Sequence, residues 1–177
     1  MRNFAPLSVF LILFSCQEIK FKEPQPIETP VLNSFPTELI GSYYDLKRND
    51  TLIVNPTTFT FGNKSSLTFI SAGLSDSVIL KAKDHVYYLN LFDKEKKLWN
   101  LIVFRNDVVS NLHVSLFVIE NNEQVEKIKA ITPLEPVLNE EKEIDYYIAQ
   151  PNELELKQIV SQQLFSKSTE LKKIIKQ

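Results

Sequence analysis

Two histidines, His85 and His113, are the only imidazoles in the chain, and Cys16 is its only thiol. Imidazoles can share a metal or pass a proton only when the fold brings them together, and hairpin geometry tests that. A loop over 93–96 pairs residue 92 with 97. A two-residue turn at Asn106-Asp107 pairs 105 with 108. In that register His85 lies opposite Phe104 and His113 opposite Asn100, on one face but two strands apart. At about 3.3 Å per residue and 4.8 Å per strand the rings stand well over 10 Å apart, too far for one metal. Both are therefore read as exposed, unpartnered polar positions, and no metal or cofactor is expected. No serine sits in a Gly-x-Ser-x-Gly turn. Asp76, Asp84, Asp93 and Asp107 fall in turns, where carboxylates are usually solvated. Glu140, Glu141 and Glu143 form a small acidic cluster that reads as a solvated loop, with a cation or a basic partner as its functional alternative. The glycines Gly41, Gly62 and Gly73 are scattered, so no phosphate-cradling loop exists. No catalytic residue is assigned, and the chain is read as a non-enzyme.

Cys16 has a more definite setting. Arg2 makes a short positive start, and an apolar run of 11 residues follows from Phe4 to Phe14. A bilayer span needs roughly 18 residues or more, so the run is too short to cross but suits a secretory signal peptide over 1–15. It ends Leu13-Phe14-Ser15-Cys16. This resembles the lipobox of bacterial lipoproteins, with an aliphatic residue three before the cysteine and a small one just before it. Phe14 departs from the usual smaller middle residue. The resemblance implies cleavage before Cys16, a diacylglycerol thioether on its sulfur and acylation, commonly with palmitate, of the new amino group. It also implies a lipid anchor in the membrane of the cell envelope, and Gln17 and Glu18 place it at the outer membrane. An exported chain with one unpaired cysteine needs a reason for it, and lipidation supplies one. No disulfide can form within the chain, so the core must hold the fold alone.

Four prolines between 17 and 36, at Pro24, Pro26, Pro30 and Pro36, argue against helix and central strand. Residues 16–36 therefore read as a lipidated start and Pro-rich tether reaching up to roughly 60 Å from the lipid at about 3.1 Å per residue. From 37 to 149 short alternating runs are separated by turn signals. They predict strands near 39–46, 51–55, 58–61, 67–70, 77–82, 86–92, 97–105, 108–118, 125–131 and 143–149. This pattern predicts a mainly β domain, an antiparallel meander closed as a barrel or sandwich. Residues 150–177 predict a C-terminal α-helical appendage. Asn152 and Glu155 make a capping pair ahead of Leu156, Ile159, Val160 and Leu164. A second, shorter helix would carry Leu171, Ile174 and Ile175. An apolar content of 44% is enough for a core, and a net charge of −2 excludes a general nucleic-acid binder.

The segment Phe35-Pro36 through Gly41-Ser42-Tyr43, followed by Asp50-Thr51-Leu52-Ile53-Val54, resembles the opening of small Bacteroidota lipoproteins. It is also similar to the first strand of lipocalin-like domains, with Tyr43 where Trp is usual. That resemblance implies a barrel that carries a small apolar ligand. The alternative is an anchored module that binds a protein or envelope component. A large internal cavity would favour the carrier and a filled core the module. The predicted register also puts Tyr87, Leu89, Leu91, Leu98, Ile102 and Phe104 on the face opposite Tyr88, Trp99, Leu101 and Val103. That is too much apolar surface to leave wet. The helix of Leu156, Ile159, Val160 and Leu164 is expected to cover it; otherwise it is the partner face.

Overall fold

The computed structural model describes residues 17–62, 69–166 and 168–175. The predicted signal peptide and Cys16 lie outside them. Two long strands, Val86–Asp93 and Leu98–Asn106, form the central hairpin. In chain order these are β8 and β9. Their alternation leaves apolar side chains on both faces, and a strand pair of that kind needs cover on both sides. The rest of the chain supplies it.

Three arms grow from β9. On one side lie β8, β7 (Val78–Lys83) and the two-residue β2 (Val31–Leu32). On the other side, the first half of β9 pairs with β1 (Gln17–Phe21), which leads through β13 (Ile144–Ala149) to β12 (Leu134–Leu138). The second half pairs with β10 (Leu112–Leu116). From there β14 (Thr169–Lys173) leads to β3 (Gly41–Asp45), β4 (Asp50–Val54), β5 (Thr58–Phe61) and β6 (Ile70–Gly73). A short strand, β11 (Val118–Ile119), also pairs with β1. The ten strands from β12 to β6 curl into a half-barrel, mainly antiparallel, with two short helices. The expected closed barrel or sandwich is thus an open curl. It is not a pure meander either, since β1 and β13 run parallel.

The two helices are α1 (Asn122–Lys129) and α2 (Glu153–Ser161). The second was predicted and has its capping box: the Glu155 N–H donates to Asn152 at 3.0 Å, and the Asn152 N–H donates to Glu155 at 2.9 Å. It does not cover the Tyr87 face. Leu156, Ile159 and Val160 pack with Tyr88, Trp99, Leu101 and Val103, beside Val125 and Ile128 of α1. Burying each of these three α2 side chains is worth roughly 1.5–3 kcal/mol. The opposite face, with Tyr87, Leu89 and Phe104, is covered by the sheet's own third arm through Tyr43, Leu52, Val54, Phe59, Leu112 and Leu171. An arm of strands offers a wider apolar surface than one short helix, and the curl brings it over that face.

Four further readings are corrected. Residues 17–36 are no spacer. Ile19 and Phe21 are core residues, and the stretch after them is fastened by side chains from the hairpins. The Gln25 N–H donates to the Asn90 side chain at 2.7 Å, and Asn90 donates back to the Gln25 carbonyl at 2.8 Å. The Lys81 ammonium donates to the Pro24 and Pro26 carbonyls at 2.9 and 2.7 Å. Prolines are accepted here because side chains, not a ladder, satisfy the backbone. The predicted strand 125–131 is mostly α1. Asn121 caps it by accepting from the Gln124 N–H at 3.0 Å, and Val125 and Ile128 are three apart on its buried side. The Pro133–Lys142 separator contains β12, an edge strand, where Pro136 removes no needed ladder donor. The second C-terminal helix is β14. It fills the gap between β10 and β3, which would otherwise be open edges.

Candidate functional site

The predicted partner face is interior. Tyr87, Leu89, Leu98 and Phe104 are buried, and Leu91 and Ile102 are half-buried against the second core. Tyr87 donates from its hydroxyl to a Glu38 carboxylate oxygen at 2.6 Å. Burial, and then that carboxylate, push its phenol up to about 12. These side chains hold the half-barrel together, and the face is closed to a partner.

Of the two histidines, only His113 departs from its expected surroundings. His85 is exposed in the tight β7–β8 turn, with φ of 60°. His113 is half-buried and has a partner: its Nε2 lies 3.4 Å from an Asp107 carboxylate oxygen. The cause is the β9–β10 loop. It is five residues long, not two, so Asn106 pairs with Leu112 and His113 with Arg105. Asp107 organises the loop by accepting from the N–H groups of Val109 at 2.9 Å and Asn111 at 2.8 Å. Desolvation works against the Asp107 charge. The Asn111 and Val109 N–H groups and the His113 ring outweigh it and hold the carboxyl below its usual value.

The shift in register turns the His113 side of β10 toward the same side of the sheet as Val103 and Arg105. Leu112 and Val114 go to the second core instead. A cleft of about 220 Å³ opens there, lined by Val103, Arg105, Asn106, His113, Ser115, Gln163, Phe165 and Ser168. Gln163, Phe165 and Ser168, which follow α2, form one wall of it. Arg105 donates from Nη2 to the Val160 carbonyl at 3.0 Å, at the C-terminal end of α2, and its Nε is buried without a partner. No carboxylate among the described residues pairs with it. Ser115 is 91% buried and its hydroxyl has no hydrogen-bond partner among the described residues. Among the described residues no hydrogen bond joins Ser115 to His113, whose Nε2 faces Asp107. The arrangement offers hydrogen-bond donors and a positive charge.

Sequence reasoning missed this cleft, since Arg105 and Ser115 gain their setting only from the loop length. The acidic residues Glu140, Glu141 and Glu143 sit exposed on the β12–β13 turn. No group of three or more His, Cys, Asp or Glu side chains among the described residues is placed to hold a metal. No helix among them is long and apolar enough to cross a membrane.

No family model, curated protein or solved structure matches the chain. The functional reading therefore rests on the chain's own residues.

Proposed function

We propose that the chain is a lipid-anchored protein of the cell envelope, held through Cys16, whose β domain binds a protein or another envelope component without transforming it. The observation that carries the choice of a binding module over a carrier is the filled second core. Within the second core, among Phe35, Leu39, Leu52, Val54, Phe59, Leu89, Phe104 and Leu112, the free space is about 10 Å³. That is about room for one water, whereas an internal ligand site needs a few hundred Å³. So small a space in the second core supports the binding module over the carrier.

The anchor rests on the lipobox-like flank of Cys16 and the signal-like run before it. β1 adds a consequence for it. The strand starts at Gln17, the next residue, and enters the core at Ile19. A lipid on Cys16 would therefore hold the domain at headgroup level rather than on a long stalk.

The test is metabolic labelling with a clickable fatty acid in cells carrying the wild-type chain or Cys16→Ala. The expected result is label and membrane association in the wild type and loss of both in the variant. Unlabelled wild-type protein, or a variant that stays labelled and tightly membrane-bound, would overturn the anchor.

A further inference from the structure

We propose that the cleft between the ends of β9 and β10 and the chain leaving α2 is a binding site for a small organic carboxylate, held by Arg105 and Ser115. The proposal goes beyond the envelope-module reading and does not depend on the lipid.

The charge argument comes first. Arg105 is permanently cationic and half-buried, and it lines the cleft. Its one hydrogen bond among the described residues is to the neutral Val160 carbonyl. The end of a helix is a favourable place for a cation, but a carbonyl cannot neutralise one. Partial burial removes water from the guanidinium, and the buried Nε, without a partner among the described residues, deepens that loss. An anion in the cleft would restore the missing counter-charge.

The second argument is the donor set. Ser115 is nearly buried, its hydroxyl has no hydrogen-bond partner among the described residues, and it lines the same cleft. A guanidinium fork and a hydroxyl together match the two oxygens of a carboxylate. The Asp107 carboxylate beside His113 repels any anion in proportion to its charge, so a monoanion is disfavoured less than a dianionic phosphate. Phe165 and Val103 add an apolar wall, which favours an organic body over a bare inorganic anion. At about 220 Å³ the cleft suits a compact acid.

The test is calorimetric titration of the full-length protein in detergent micelles with benzoate, with benzamide as the neutral isostere and inorganic phosphate as the second anion. The expected result is saturable benzoate binding, with benzamide and phosphate at least about ten-fold weaker. Arg105→Gln should weaken benzoate about ten-fold or more, and Ser115→Ala about three-fold, as loss of a charged and a neutral hydrogen bond implies. Absence of saturable benzoate binding, or equal binding of benzamide, would overturn the proposal. So would undiminished affinity in a folded Arg105→Gln. If circular dichroism shows that Arg105→Gln does not fold, Ser115→Ala decides: reduced affinity supports the site and unchanged affinity refutes it. Failure of fatty-acid labelling at Cys16 would leave this result untouched, so the two readings fall separately.

Discussion

Replacing Asn90 by alanine tests whether residues 22–30 belong to the folded domain. Asn90 is wholly buried on β8 and meets Gln25 as a strand partner would, accepting from its N–H and donating to its carbonyl. Removing the side chain leaves two backbone groups in a buried site. Each unsatisfied group costs roughly 1–3 kcal/mol, so the pair costs about 2–6 kcal/mol if the segment stays in place. Local release of the segment caps the loss, and about 3 kcal/mol is expected. For a chain of this size 1 kcal/mol moves the melting point by about 2–4 °C, so Tm should fall by about 6–12 °C. Urea unfolding measures the first quantity and calorimetry the second. Trypsin supplies a local readout, because Lys22 is exposed just ahead of the fastened stretch and should be cut sooner in the variant. Gln25→Ala is the control. Asn90 contacts the backbone of residue 25, and this variant removes only the side-chain bond to the Glu23 carbonyl, so Lys22 should be cut later than in Asn90→Ala. A loss below about 1 kcal/mol in Asn90→Ala, with unchanged cleavage at Lys22, would refute the reasoning and return the segment to the role of a spacer.

Truncation after Gln150 should give no stable soluble domain and strong binding of a hydrophobic dye. It removes α2 from the first core and β14 from between β10 and β3; a truncated chain as stable as the whole would contradict both packings. Asp93 should contribute to acid sensitivity. The Lys96 N–H and then the Lys20 ammonium hold its carboxyl below the usual 3.8. Its stabilisation is therefore present above the unfolded value near 3.8 and is lost as pH falls through the lower folded value. Urea midpoints measured between pH 5 and 2 should fall more steeply for the wild type than for Asp93→Asn, and parallel curves would count against it.

Local pattern carried much of the architecture. Alternation and turn residues place β3, β4, β5, β7, β8, β9 and β13 close to where they lie, and the Asn152–Glu155 pair places the start of α2. The two faces of the central hairpin were legible too. The β8–β9 loop is two residues out of the predicted register, with Phe92 opposite Trp99, and an even shift leaves every side chain on its own face. Between β9 and β10 the displacement is odd. It carries His113 and Ser115 to the side of Arg105, and it creates the cleft. Nothing in the residue types flanking Asn106-Asp107 separates a two-residue from a five-residue loop, because the choice depends on Asp107 gathering N–H groups across the turn.

The remaining differences share one cause. Gln17–Phe21 and Thr169–Lys173 are strands because neighbouring strands leave backbone donors and acceptors to be paired, not because of their own composition. The same holds for residues 24–27, where Asn90 and Lys81 from the distant β7–β8 hairpin hold a proline-rich stretch that by itself favours an extended, solvated chain. Which surface covers the Tyr87 face was likewise a choice between two apolar elements of similar character, and only the curl of the sheet makes it. Periodicity, caps and the flank of Cys16 are short-range properties and can be read from neighbouring residues. Register across a loop, cover for a face and a partner for a buried charge are set between residues far apart in the chain, and they exist only once it has folded.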